Sequence, residues 1–408
     1  MAILLEKELK KSISKETQLV LEKVSVLAQN FGIDVFLIGG IVRDILLQNQ
    51  ISDIDIAVQG NAVEFAQYIQ SHSAAKVVAF QENLKTAKVD FENNIVIDFA
   101  STREEKYSKS GVLPVAYNFG CKLENDVKRR DFTVNTLAIQ LTGENKFYLV
   151  DYYNGYQDLK DKKIRILHSK SFIDDPSRII RALKFKKRLN FEIEESTYNL
   201  MQTYLFDVDK EMPLERVKNE FKQYFSIKSD DLYSEIIETN AFRLISDNPI
   251  LDINQKNFKN AKDFHLDIQD DIWFVYFILL VVNSDFAIKR LNLTGYELRV
   301  IKEVKTLISS SVNDSSSNKE IYSIFNNMLE ASIFIYYLIT GNEAVEKFFV
   351  ALKEIKVLLT GKDLIDLGFI PSAYFNKLFD KILNEKLNGN LKTKEEEIEF
   401  VKQFGVIQ

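Results

Sequence analysis

The feature that most constrains this chain is a pair of glycines followed shortly by two aspartates, between Leu37 and Asp55. Apolar residues before Gly39 and Gly40 predict a buried strand, and paired glycines allow positive φ or a close approach of backbone amides to a phosphate. Asp53 and Asp55 are two residues apart, so on a strand both carboxylates face the same side. Because hard divalent cations prefer such oxygens, the stretch predicts a phosphate- and Mg²⁺-binding centre.

Each half of this stretch has an ordinary alternative, since a lone Gly-Gly is usually a turn and a lone Asp-x-Asp is usually solvated surface. Their coupling favours a centre in which two cations activate an attacking hydroxyl and stabilise a leaving pyrophosphate. Asp98 ends the strand-like segment that begins at Ile95, and it is a candidate third catalytic carboxylate. The alternative for Asp98 is an N-cap or a turn.

Composition sets the class of protein. A chain of 408 residues predicts two to four units. A single cysteine, Cys121, excludes an intramolecular disulfide framework, and three scattered histidines cannot form a His-rich metal cluster. The charged N-terminus is unlike a signal peptide, and no apolar run reaches the length of a membrane span. We therefore expect a soluble cytoplasmic protein without a membrane or DNA partner.

The net charge of −6 argues against nonspecific coating of nucleic acid, but one segment is basic. Residues 160–188 contain eleven basic and three acidic side chains, an excess of +8. Such an excess suggests a track for a polyanion such as RNA, while a solvated helix face is the alternative. The candidates for RNA binding are Lys184, Lys187 and Arg188, together with Lys362, which follows Gly361 in the C-terminal part.

The order of predicted elements indicates an α+β fold. A helix over 13–30 precedes strands over 35–38, 53–58, 75–80, 87–91 and 95–100, with helices over 44–47 and 61–71 and a turn at Asn93-Asn94. Two further strand-forming pieces cover 135–141 and 146–151. From Asp175 onward, apolar residues recur at spacings of three and four, which is typical of helices. The serine-rich stretch 309–318 is the clearest loop.

Two polar segments lie downstream of the aspartate pair. In Arg129-Arg130-Asp131, the arginines offer forked donors to phosphate oxygens, and Asp131 could accept from a ribose hydroxyl. The alternative is a surface salt bridge. In Asp174-Asp175-Pro176-Ser177-Arg178, the simplest interpretation is that Asp175 caps a helix.

The functional interpretation of Asp175 and Arg178 is selection of a base. Three residues apart on a helix, they present an acceptor beside a donor on one face. The pairing edges of cytosine and adenine offer an amine donor beside a ring-nitrogen acceptor, whereas uracil and guanine offer the reverse order. One Asp–Arg pair could therefore accept C and A and reject U and G without a nucleic-acid template.

Taken in order, these segments resemble the five motifs of the class II tRNA nucleotidyltransferases, relatives of bacterial poly(A) polymerases that build or repair the 3′ CCA end of tRNA. The motifs are Leu37–Asp44 with Asp53–Asp55, Arg129–Asn135, Asp151–Asp158, Asp174–Arg178 and Glu215–Val217. The match covers residues ~30–225. The family usually has Glu-Asp where this chain has Asp174-Asp175.

The resemblance implies a role for each matching residue. Those that the resemblance implies bind the nucleotide are Gly39, Gly40, Arg43, Arg130, Asp131, Asp175 and Arg178, and Asn135 and Arg181 are further candidates for nucleotide binding. Asp53 and Asp55 would hold the metals, and Asp98 stays the candidate third catalytic carboxylate suggested by its position in the sequence. Residues 151–158 would form a hinge, Glu215 and Arg216 would brace the base-selecting helix, and the C-terminal part would grip the tRNA elbow.

The resemblance also implies an architecture. We expect an α+β fold with an N-terminal nucleotidyltransferase head, whose sheet is mixed, followed by an all-helical neck, body and tail. The expected bounds are 1–145 for the head, 146–230 for the neck with its nucleotide-selecting helix, 231–310 for the body and 320–408 for the tRNA-binding tail.

The expected activity is Mg²⁺-dependent addition of CCA to the tRNA 3′ end from CTP and ATP, with contacts to the acceptor stem and elbow. The alternatives are a partial enzyme that adds only A or only CC, a poly(A) polymerase, and a noncatalytic RNA-binding protein. A full-length loop between Arg103 and Lys128 argues against CC-only addition. No Gly-Arg-Arg-Phe-type segment of the bacterial poly(A) polymerases occurs early in the chain, which favours the tRNA enzyme.

Overall fold

A computed structural model describes residues 3–51, 53–92, 95–209, 212–253, 257 and 272–404. The chain divides into two compact units, Met1–Leu244 and Ile245–Gln408. The first contains a mixed sheet and helices, and the described part of the second is helical. The predicted α+β class with a helical C-terminal part is therefore confirmed. The predicted turn at Asn93-Asn94 lies outside the described residues, and the four domain bounds stay a prediction.

One mixed sheet dominates the first unit. The described strands are β1 Asp34–Ile38, β2 Ile54–Gln59, β3 Lys76–Gln81, β4 Thr86–Phe91, β5 Ile95–Ser101, β6 Glu104–Lys106, β7 Val115–Tyr117, β8 Ala138–Gln140, β9 Leu149–Val150, β10 Lys163–Ile164 and β11 Glu192–Ile193. Seven of these described strands form the sheet in the order β3-β4-β5-β2-β1-β8-β9. Neighbours in it are antiparallel, except that β2 and β5 run parallel.

Helices of the first unit flank this sheet and continue beyond it. They are α1 Glu6–Ser12, α2 Lys15–Phe31, α3 Gly40–Leu47, α4 Ala62–Ser71, α5 Leu123–Val127, α6 Gly155–Lys160, α7 Ser171–Asp174, α8 Ser177–Leu189, α9 Glu195–Phe206, α10 Glu215–Phe225 and α11 Leu232–Glu238. Short 3₁₀ turns cover Thr133–Asn135 and Ala241–Leu244. The sequence patterns that predicted β1 to β5, a continuous apolar run for β1 and strand-like runs for the others, locate each strand to within one residue at both ends.

The two faces of the sheet are packed differently. On one face, Phe65 of α4 makes an edge-to-face contact with Phe99 of β5 at 5.7 Å, and Phe31 of α2 lies 5.6 Å from Phe65. On the other face, α5 packs over the inner strands through a buried cluster. Its members are Phe36, Ile38, Ala57, Leu123, Val127 and Ala138. The sheet is thus anchored from both sides at its centre.

The neck, which was expected to be all-helical over 146–230, contains short strands as well as helices. β10 and β11 pair in parallel, Lys163 with Glu192 and Ile164 with Ile193. Strands of two residues carry no periodicity that a sequence pattern can detect. They lie before and after α8, whose apolar face is buried, so they fix both ends of that helix.

Helices make up the described part of the second unit. They are α12 Ile272–Val281, α13 Asp285–Arg290, α14 Gly295–Ile308, α15 Asn318–Phe325, α16 Glu330–Thr340, α17 Glu343–Lys347, α18 Gly361–Asp366, α19 Tyr374–Leu387 and α20 Lys394–Lys402, with a π-helical turn at Phe348–Leu352. The serine-rich stretch connects α14 to α15 inside this unit. No helix in the described ranges is both long and apolar enough to cross a bilayer.

A buried ion pair joins the last two helices of the second unit. Lys386 and Glu397 have side chains that are 7% and 0% exposed, and their charged ends are hydrogen-bonded to each other. Glu397 also accepts from the backbone amides of Leu358 and Leu359 at 2.9–3.1 Å. Around them lies the apolar cluster that includes Leu364 and Val401. The carboxylate therefore ties three segments of the chain together.

Candidate nucleotide-binding site

Two of the predicted catalytic carboxylates are brought together by the parallel pairing of β2 and β5. Asp55 and Asp98 are direct register partners, and side chains at paired positions point to the same face. Asp53 immediately precedes β2. The Lys88 ammonium on β4 donates to Asp98 Oδ2 at 2.8 Å. Burial, and then the charges of Asp98 and Asp53, raise the pKa of the Asp55 carboxyl, although Arg130 opposes the rise.

This electrostatic crowding fits a site for divalent cations, because a bound cation would relieve the repulsion that raises the Asp55 pKa. In the described residues, no three carboxylate, histidine or cysteine side chains form a ready-made metal cage. Mg²⁺ is commonly bound by one or two carboxylates, with waters and substrate phosphates completing its shell. Asp53 and Asp55 are therefore suited to hold ions that the nucleotide helps to coordinate.

The glycine pair lies between β1 and α3, as predicted. Gly39 adopts φ +77° and ψ −124°, a region that residues with a side chain rarely occupy. A Cβ on Gly39 would lie 2.8 Å from Arg130 Nη1. The absence of a side chain thus lets the Arg130 guanidinium rest against the turn. Gly40 begins α3, which leaves helix amide groups facing the cavity described below.

Arg43, Asn135, Asp131 and Arg181 form a continuous polar network. Arg43 Nη1 donates to Asn135 Oδ1 at 2.8 Å, and Asn135 Nδ2 donates to Asp131 Oδ1 at 2.9 Å. Arg181 donates to Asp131 Oδ2 through Nε at 2.9 Å and Nη2 at 2.5 Å. Burial alone would raise the pKa of the Asp131 carboxyl, but Arg181 and Asn135 hold it below its ordinary value. The four side chains are therefore fixed relative to one another.

Arg181 is anchored on its other side by Glu220 of α10. Arg181 Nη1 donates to Glu220 Oε1 at 3.1 Å. The ring of Phe185 lies against the guanidinium groups of Arg181 and Arg43, with distances of 5.7 Å and 5.3 Å from the ring centroid to the guanidinium carbon. Glu220 was not found from the sequence. The position of Glu220 on α10 is only a weak signal, because nothing in the neighbouring sequence indicates that Arg181 is its partner.

Asp175 and Arg178 are both buried, 5% and 3% exposed, at the start of α8. Asp175 Oδ2 accepts from Arg216 Nη2 at 2.6 Å, so Arg216 braces Asp175 as expected. Asp175 Oδ1 accepts from the amide of Ser177 at 3.2 Å, but the N-cap residue of α8 is Pro176, so the alternative that Asp175 is the N-cap is wrong. Arg178 donates to Ser171 Oγ and to the Arg129 carbonyl, each at 2.7 Å. Arg178 Nη2 also donates to the hydroxyl oxygen of Tyr107 at 3.4 Å, and the sequence had not singled out Tyr107 as a site residue.

Two cavities of the first unit collect most of the predicted residues. One, of about 280 Å³, is lined by Gly39, Gly40, Arg43, Asp53, Asp55, Arg130, Asp131, Asn135, Arg181 and Arg188 among others. The other, of about 490 Å³, is lined by Tyr107, Arg130, Asp131, Asp175, Arg178, Arg181 and Arg216 among others. Arg130, Asp131 and Arg181 line both cavities, which therefore adjoin, and we treat them as two arms of one cleft. We call them the glycine arm and the Asp175 arm.

The remaining basic candidates lie elsewhere. Lys184 is buried, and its ammonium donates to Glu220 at 2.5 Å and to Gln223 at 2.6 Å. Lys187 is paired with Asp231 at 2.6 Å. Lys362 is exposed in the first turn of α18, in the second unit. RNA binding by these lysines and by Arg188 stays a prediction.

A mixed sheet that aligns carboxylates beside a glycine turn and a helix start defines a nucleotidyltransferase head. Residues 35–165 match the family model described as the poly A polymerase head domain. The resemblance found in the sequence is thereby confirmed. The chain is thus similar to this head domain over residues 35–165 and, over most of its length, to proteins named tRNA nucleotidyltransferases or CCA-adding enzymes.

Proteins similar to this chain are named A-adding tRNA nucleotidyltransferases or CCA-adding enzymes. It is 28% identical to the A-adding tRNA nucleotidyltransferase of Halalkalibacterium halodurans, over 94% of this chain and 92% of that protein. It is 31% identical to the A-adding tRNA nucleotidyltransferase of Aquifex aeolicus over 81% of this chain, but it spans only 42% of that longer protein. The solved Thermotoga maritima CCA-adding enzyme complexed with tRNA_CCA is 25% identical, with a TM-score of 0.76 over 99% of both chains.

Proposed function

We propose that this protein is a tRNA nucleotidyltransferase that adds nucleotides of the 3′-terminal CCA from CTP and ATP without a nucleic-acid template. The observation that carries the proposal is the two-armed cleft, which joins the Asp53–Asp55 carboxylates to the buried Asp175 and Arg178 through Arg130, Asp131 and Arg181. One arm suits a triphosphate and the other suits a base. A single nucleotide can therefore span both.

In the proposed reaction, the 3′ oxygen of the RNA bonds to the α-phosphorus of the nucleotide. The bond from that phosphorus to the bridging oxygen breaks, and pyrophosphate leaves with the electron pair. Divalent cations held by Asp53 and Asp55 would supply charge stabilisation for the attacking and leaving oxygens. The chain itself contributes positioning, which accounts for much of catalysis in phosphoryl transfer. The α3 amides and the Arg43 guanidinium favour an anionic phosphate at the glycine turn.

Base selection is assigned to Asp175 and Arg178. Their hydrogen bonds to Arg216, Ser171 and the Arg129 carbonyl hold them rigidly, so the cleft offers a fixed pattern of donor and acceptor. A fixed pattern discriminates because the wrong base leaves buried polar groups unpaired. Asp175→Ala should relax discrimination against UTP and GTP. Unchanged selectivity in that variant would leave Asp175 with only its structural contacts to Arg216 and Ser177.

A second candidate is addition of the terminal A only. The Halalkalibacterium and Aquifex relatives, which carry the name A-adding, favour it. The Thermotoga enzyme, a CCA-adding enzyme that matches over nearly the full chain, favours complete addition. The cleft accommodates either activity, since both need the same chemical step.

To test this proposal, the protein is incubated with tRNA transcripts that end before CCA, after one C or after CC. CTP and ATP are supplied separately and together, and extension of each transcript is measured. Growth of all three transcripts to full CCA supports complete addition. Extension of the CC-ended transcript alone, and by ATP alone, supports the A-adding candidate. Long A tails on unrelated RNA would replace both with a polymerase. Asp53→Ala serves as the matched control, and it should abolish incorporation while tRNA binding is retained.

A further inference from the structure

A third cavity adjoins the cleft on the outer part of the sheet. It measures about 480 Å³ and lies over the face of β3, β4 and β5 that carries Asp98. Register places Lys88 opposite both Asp98 and Ala79, and Thr86 opposite both Ala100 and Gln81, so these side chains share one face. The floor of this trough therefore includes the small side chains of Ala79, Thr86 and Ala100 together with the polar side chains of Lys88, Gln81 and Asp98.

The trough meets the nucleotide cleft at the carboxylates. Asp55 lines the trough and the glycine arm, and Arg130 lines the trough and both arms. On the side of α5, the trough is walled by Asp126, Arg129 and Arg130. Arg130 thus borders all three cavities, and Asp55 borders the trough and the glycine arm.

A nucleotide that places its triphosphate in the glycine arm and its base in the Asp175 arm leaves the trough empty. The proposed reaction has a second substrate, whose hydroxyl must reach Asp55 by another path. We propose that the trough binds the 3′-terminal nucleotide of the acceptor RNA strand and that Lys88 binds the phosphodiester on its 5′ side. This inference rests on the proposed function.

The chemistry of the trough fits such a ligand. Lys88 is 47% exposed, so its ammonium can reach a phosphate while it remains beside Asp98. The small side chains of Ala79 and Thr86 leave the cavity of about 480 Å³ open above the sheet. The formal charges of the side chains that line the trough sum to zero. The positive ones are Lys88, Arg129 and Arg130, and the negative ones are Asp55, Asp98 and Asp126. A strand end carrying one phosphate fits a neutral trough better than a triphosphate does.

Two variants and one control test this assignment with a CC-ended tRNA and ATP, a pair that serves both candidate activities. Lys88→Ala removes the cation, and Ala79→Trp, at an exposed position, fills the floor. Lys85→Ala, in the β3–β4 turn where Lys85 pairs with Glu82, removes the same charge outside the trough. We expect both trough variants to raise the KM for tRNA about tenfold and to leave the KM for ATP unchanged. Lys85→Ala should change neither constant.

An equal rise in the KM for ATP, or an unchanged KM for tRNA in both trough variants, would overturn the assignment. Fluorescence anisotropy of a labelled single-stranded RNA ending in CC gives a readout that needs no turnover. Ala79→Trp should weaken its binding, and unaltered binding would overturn the trough site. If the wild-type protein extends no tRNA, the proposed function fails, and the anisotropy measurement still decides whether the trough binds an RNA end.

Discussion

Replacing Lys386 by Met tests how far the second unit depends on its buried ion pair. Met keeps the length of the aliphatic chain but removes the charge that faces Glu397, whose side chain is fully buried. Removing one partner of a buried pair typically costs about 3–5 kcal/mol, because it leaves a charge without compensation. Glu397 keeps its two backbone donors, Leu358 and Leu359, so we expect the lower end, about 3 kcal/mol.

The assay uses the only tryptophan of the chain, Trp273 in α12, which lies in the same unit. Urea unfolding followed by its fluorescence therefore reports on the unit that contains the pair. Lys402→Met is the matched control, because Lys402 pairs with Glu399 at an exposed site and its loss should cost less than about 1 kcal/mol. Glu397→Gln combined with Lys386→Met should be less destabilising than the sum of the single changes. A cost below about 1 kcal/mol for Lys386→Met alone would refute the reasoning.

Three further predictions concern the first unit. Gly39→Ala should weaken ATP binding about tenfold, as measured by equilibrium titration. The new Cβ would displace Arg130, and it would strain the backbone by about 1–3 kcal/mol. Unchanged affinity would argue against a phosphate at this turn. Asp131→Asn should destabilise the unit by about 2 kcal/mol, since its bonds from Arg181 lose their charge assistance. The difference in stability between the Asp131→Asn variant and the wild-type protein, followed by circular dichroism, should shrink as the pH falls from 3.8, the ordinary carboxyl pKa, toward the lower pKa of Asp131 in the folded protein. Protonation of Asp131 then removes the same charge from the wild-type protein. A pH-independent difference would contradict this reasoning.

Local patterns in the sequence predicted the elements that carry the chemistry. The glycine turn, the strand bearing Asp55 and the strand bearing Asp98 each have a short-range signal, either a paired glycine or an apolar alternation bounded by turns. The two-residue strands β10 and β11 have none, because their pairing joins segments about thirty residues apart in the chain.

The partners that fix the site residues were harder to predict. Asp131 is held by Arg181, fifty residues later, and Arg181 by Glu220, a further thirty-nine residues on. A single sequence indicates which side chains can pair but not which of many candidates meet in space. The family resemblance implied that Glu215 and Arg216 brace the base-selecting helix, but the residues alone did not indicate that Arg216 would bond to Asp175.

The parallel pairing of β2 with β5 also bears on how this head can vary in length. Asp55 and Asp98 share a face only while the register holds, and a shift of one residue in β5 would turn Asp98 to the opposite side. Insertions or deletions within β5 should therefore be rejected. The turn between β3 and β4 lies outside the β2–β5 pairing, so a change of length there would leave Asp55 and Asp98 aligned.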